Sequence, residues 1–188
     1  MPILSIFLSI NLLFLVSGYH YPNLLQENNL LENIQALTLT LSMATFLYAC
    51  FKDRLRSIAF LCAAICLAFI LREIDIENLH VPNLAVVLFS GIGKYILMLL
   101  LLCPSTLWVL KNYKITFLTE RVIIPFSQFA VLSIIFFALS WIFDKGVFDT
   151  NQNILFEELS ELNAYLLIFI TALLYNKKFA TQRVHSDN

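Results

Sequence analysis

Apolar residues run along this chain in six long continuous stretches, without the alternation of a strand. They lie at Ile3–Tyr19, Leu31–Phe51, Leu55–Leu71, Ser90–Leu110, Val122–Phe143 and Glu158–Tyr175. A helix crossing a bilayer core needs about 17 to 25 such residues. Unbroken runs argue against a transmembrane β-barrel, whose strands alternate between lipid and lumen. The pattern therefore predicts an all-α integral membrane protein, a six-transmembrane-helix bundle. Residues 1–176 read as one transmembrane helical domain, and 177–188 as a short basic and polar cytoplasmic tail. The first run has the length of a signal peptide. It has no basic n-region and no A-x-A-like cleavage site, so it counts as a span.

Composition agrees. The chain is 60% hydrophobic and 13% charged, with a mean hydropathy of +0.80. Soluble domains average about half apolar and about a quarter charged. At 188 residues the chain has no room for several soluble domains beside a membrane part.

The charges then orient the spans. Nine of the twelve Lys and Arg lie after spans two, four and six: Lys52, Arg54, Arg56, Lys111, Lys114, Arg121, Lys177, Lys178 and Arg183. Ten of the thirteen acids lie at the other three connections: Glu27, Glu32, Glu73, Asp75, Glu77, Asp144, Asp149, Glu157, Glu158 and Glu161. Basic loops stay in the cytoplasm. Six spans with both termini cytoplasmic satisfy every connection, and a bacterial inner membrane, with the acidic face periplasmic, is the expected location. Tyr19, Tyr21, Trp108, Tyr113, Trp141 and Phe143 fall near the proposed interfaces, where amphipathic rings prefer to sit.

The polar residues of the outer end come from four spans. Glu32 and Gln35 are three apart on span two, and Thr38 and Ser42 continue their stripe. Arg72, Glu73 and Asp75 close span three. Lys94 lies about one turn inside span four, and Glu157, Glu158, Glu161, Asn163 and Tyr165 open span six. A Lys at that depth needs a partner or must snorkel. The expectation is that Lys94 meets one of Glu32, Glu73, Asp75, Glu158 or Glu161, with Glu161 its natural counterpart. The sequence "REID" is expected to divide by direction: Glu73 turns inward toward Glu32 and Glu161, and Arg72 pairs with Asp75 at the rim. Helix dipoles give the same charges a structural reason, since carboxylates suit the starts of spans two and six and Arg72 the end of span three.

Several chemistries follow from this set. Glu158, Glu161 and Glu73 are the candidate catalytic acids and bases, because closely spaced buried carboxyls share a proton. Arg72, Lys94, Glu32, Gln35 and Asp75 are the candidate ligand-binding residues. Carboxylate oxygens suit a divalent cation such as calcium, magnesium or manganese, with Glu32, Glu73, Glu161 and His80 the candidate ligands. The paired histidines of a zinc site are missing, and a di-iron Glu-x-x-His motif is absent, since Ala164 follows Glu161 by three and Glu161 follows Glu158 by three. No His sits mid-span for bis-His haem. Leu88–Lys94, "LFSGIGK", lacks the full phosphate-loop pattern. The four cysteines, Cys50, Cys62, Cys66 and Cys103, read as small packing residues.

The leading reading is a site at the outer leaflet that binds a lipid head group, with or without a divalent cation, and with hydrolysis within reach of its carboxyls. The alternative is a non-enzymatic membrane subunit or assembly factor, whose network locks helix packing and whose acidic rim meets another membrane protein. A cation or proton transporter is the third. Beyond the lipid bilayer, the expected partners are thus a lipid head group or a membrane protein, and not nucleic acid.

Overall fold

The structure is a computed structural model that describes residues 2–20, 30–52, 56–74, 82–112, 120–147 and 152–186. Described residues form helices and no strands: α1 Pro2–His20, α2 Leu30–Lys52, α3 Arg56–Glu73, α4 Asn83–Phe89, α5 Gly91–Lys111, α6 Glu120–Asp144 and α7 Asn153–Ser186. Six of them fall on the six apolar runs. The short α4, NLAVVLF, is apolar but lies outside those six runs.

Among the described residues three helices are long and apolar enough to cross a membrane: Leu30–Phe51 of α2, Gly91–Lys111 of α5 and Asn153–Lys177 of α7. In α6, Gln128–Asp144 is a shorter apolar stretch. The 34-residue α7 starts earlier and ends later than its apolar run. At 1.5 Å per residue it is about 50 Å long, more than a hydrocarbon core is thick.

α7 is the hub. It packs against α6, α2 and α1, while α2 packs on α3, and α3 on α5. The core between α2, α3 and α7 is built from Leu39, Phe46 and Ala49, from Ala59, Ala63, Cys66 and Ile70, and from Tyr165, Ala172 and Tyr175. The small residues of α3 recur at three and four, which makes one smooth face. Small side chains let two backbones approach closely, and in lipid that packing replaces the hydrophobic effect as the cohesive force. Gln35, Thr38, Leu39, Ser42 and Phe46 form the matching buried stripe of α2. Thr38 and Ser42 donate back to the carbonyls of Ile34 and Thr38, so their hydroxyls need no partner across the interface. α5 is peripheral and turns Ile92, Tyr95, Ile96, Leu99 and Leu100 outward. All four thiols are free, with Cys66 in the core and Cys103 exposed.

One local feature sets the site. α4 and α5 are separated at Ser90, and Gly91 follows with φ +47°, a left-handed backbone that favours glycine. A Cβ on Gly93 would lie 2.1 Å from the carbonyl oxygen of Val87. Only glycine allows the end of α4 to come that close. The break starts α5 beside the C-terminus of α3 and puts Lys94 in its first turn.

Candidate functional site

Polar side chains of α2, α3, α5, α6 and α7 converge at the end of the bundle where α3 stops. Arg72, in the last turn of α3, donates from Nη2 to Glu161 Oε1 of α7. Ser140 of α6 donates to the same oxygen at 2.8 Å. Glu161 thereby joins three helices through one atom. The next residue of α3, Glu73, accepts from the Tyr165 hydroxyl at 2.6 Å, and its Oε1 is 3.7 Å from Arg72 Nε. Tyr165 is fully buried against Phe69 and Phe137, so its ring fixes the hydroxyl. One turn earlier on α7, Gln35 Nε2 donates to the Glu158 carbonyl at 3.1 Å and to Glu158 Oε2 at 2.9 Å. Glu32 is within electrostatic reach of both Glu73 and Glu158.

Charge is unevenly distributed. The Glu161 and Glu73 side chains are 5% and 7% exposed, while that of Arg72 is 46% exposed. The guanidinium carries more N–H donors than its bond to Glu161 uses, and its exposed part opens to the rim. The carboxyls of Glu32, Glu73, Glu158 and Glu161 outnumber it. Glu73 lies just past the apolar run of α3. Burial pushes its carboxyl from 4.5 up to about 7, and the charge of Glu161 adds to the rise; the Tyr165 hydroxyl and Arg72 pull it back.

The structure redistributes the expected partners. Lys94 pairs with no described carboxylate. Its Nζ donates instead to the main-chain carbonyl of Arg72, 3.1 Å away. That carbonyl is one of those a helix C-terminus leaves open, so Lys94 caps α3. The cation on Glu161 is Arg72, which reaches inward rather than serving only the rim. Glu73 does turn inward, toward Tyr165 and Glu161. Asp75, Glu77 and His80 lie outside the described residues. Among the described residues no group of three or more His, Cys, Asp or Glu is placed to hold a metal ion. Of the expected ligands Glu32, Glu73, Glu161 and His80, the last lies outside those residues.

Two members of the polar system lie outside the residues singled out in the sequence. Ser140 is a lone hydroxyl in "FFALSWIF", at the depth of Glu161. Asn11 of α1 exchanges two 2.7 Å hydrogen bonds with Asn163 of α7, amide to amide. Both are polar residues within apolar runs, but Ser5, Ser9 and Ser17 share the run of Asn11, and Ser127, Gln128 and Ser133 that of Ser140, so nothing set them apart in the sequence. No protein-family model matches the chain, and neither a curated protein nor a solved structure shows significant similarity to it.

Proposed function

We propose that this chain is a six-span protein of a bacterial inner membrane, with both termini cytoplasmic, that binds a lipid head group of the outer leaflet through Arg72 and Lys94. The observation that carries the reading is that two cationic residues, Arg72 and Lys94, meet at the end of α3. Lys94 sits on the backbone of Arg72, and the Arg72 side chain is nearly half exposed yet held from beneath by Glu161. A guanidinium and an ammonium with spare donors suit a phosphate, and prior fixing of the arginine removes much of the ordering cost of binding. The buried carboxyls act as acceptors in bonds between helices: Glu161 toward α3 and α6, Glu73 toward α7, and Glu158 toward α2. That use favours binding over hydrolysis. It also supports a second reading as a non-enzymatic subunit whose network locks the bundle.

The lipid reading is tested with purified protein in a sugar-based detergent and short-chain phosphatidylglycerol as the probe. Binding should saturate. Lys94→Gln, which leaves the Arg72–Glu161 pair in place, should weaken it about fivefold to tenfold, a loss of about 1 to 1.4 kcal/mol. Arg72→Gln should weaken it more. Absence of saturable binding, or identical binding by Lys94→Gln, overturns the reading.

The topology has its own test, because it rests on loop charge. A cysteine in place of Asn151 should react with an impermeant maleimide in intact cells. One in place of Lys177 should react only after permeabilisation. The reverse pattern would exclude cytoplasmic termini.

A further inference from the structure

Gln35 is fully buried, and its side-chain oxygen is the one buried side-chain N or O atom that finds no hydrogen-bond partner among the described residues. The orientation of the amide is set by chemistry. A backbone carbonyl only accepts, so the group facing the Glu158 carbonyl at 3.1 Å is the amide nitrogen. Oε1, on the same carbon, is left without a donor while the nitrogen beside it is held by Glu158. A buried acceptor left alone costs about 1 to 3 kcal/mol. The neighbourhood is also short of positive charge, because Arg72 is bonded to Glu161 and Lys94 to a backbone carbonyl.

A cation would meet both needs at once, by taking Oε1 as a ligand and countering Glu158. Its charge follows from the donors. Calcium takes six to eight oxygens and magnesium an octahedron that keeps several waters, and the described residues hold no group of three or more His, Cys, Asp or Glu fit for a metal. One carboxylate and one amide oxygen carry a charge of minus one and are hard oxygen donors, which match an alkali ion. Glu32, one turn before Gln35 on α2, adds attraction at longer range.

We propose that Gln35 Oε1 and the Glu158 carboxylate bind a single sodium ion between α2 and α7. This site is separate from the Arg72–Lys94 rim and does not depend on the lipid reading.

The test is thermal unfolding of the full chain in detergent, titrated with sodium chloride against choline chloride at constant ionic strength and pH. Sodium should raise the midpoint saturably and choline should not. Glu158→Gln and Gln35→Leu should each shift the sodium response to concentrations at least about tenfold higher, and Thr40→Ala, on the exposed face of α2, should keep the wild-type response. Each response is read within its own variant, so a lower starting stability does not obscure it. A wild type indifferent to sodium overturns the proposal and leaves Oε1 with a water or with a proton carried by Glu158. So does a sodium response that survives both substitutions. A response to calcium but not to sodium would replace the site with a divalent one.

Discussion

Replacing Arg72 with methionine is expected to destabilise the folded protein by about 2 to 3 kcal/mol, and replacing Glu161 with leucine in the same chain to restore most of that loss. Breaking a buried ion pair costs about 3 to 5 kcal/mol, because the remaining charge is buried without a partner, whereas replacing both members with apolar residues is often neutral. The lower figure applies here because Arg72 is nearly half exposed and solvent screens it. Glu161 has no such relief. It would keep only the Ser140 hydroxyl, a weaker partner than a guanidinium. Unfolding of Arg72→Met, Glu161→Leu and the double variant gives the coupling directly. Costs that simply add would mean that the two side chains do not act as a pair, and that the three helices joined at Glu161 are held by packing alone.

The second large effect is expected at Tyr165. This ring packs edge-on against the stacked pair Phe69 and Phe137, and its hydroxyl is the neutral donor to Glu73. Tyr165→Ala should cost about 3 to 5 kcal/mol through the cavity it opens. Tyr165→Phe keeps the packing and removes only the donor, at about 1 to 3 kcal/mol. The loss should depend on pH. Glu73 is raised from 4.5 to about 7 in the folded chain, mainly by burial, so the folded state holds this proton more tightly than the unfolded state. Its contribution to stability is therefore complete below 4.5 and lost as pH rises through about 7. Because the Tyr165 hydroxyl pulls the carboxyl down, its removal should move the titration of Glu73 upward. It should also make the cost of Tyr165→Phe larger above pH 7 than below 4.5. The carboxylic carbonyl band in infrared difference spectra, assigned with Glu73→Gln, follows the titration. A band that titrates at the same pH with phenylalanine at 165 would show that the hydroxyl does not govern this carboxyl.

The helices and the level at which the polar groups gather were legible in the sequence, because both are local properties. A run of apolar residues states its own length, and its distance from Glu161 or Arg72 states their depth. The Gln35–Thr38–Ser42 stripe was legible for the same reason, since positions three and four apart share a helix face. Helical geometry fixed only the angle of about 100° between Glu73 and Arg72; that both reach α7 was decided by packing.

What the tertiary structure decided is which group meets which. Lys94 and Arg72 stand at the same depth, and depth alone made either a counterpart for Glu161. The choice depends on azimuth and on the order of helices around the bundle: α7 packs on α6 and α2, α2 on α3, and α5 only reaches α3 from outside. The guanidinium of α3 therefore reaches α7, and the ammonium of α5 stops at the α3 backbone. That order arises from contacts between residues far apart in the chain, as at Ala59 and Ala63 against Leu39 and Phe46. Ser140 and Asn11 make the same point. Each is a polar residue whose partner lies on another helix, and only packing brings the two together.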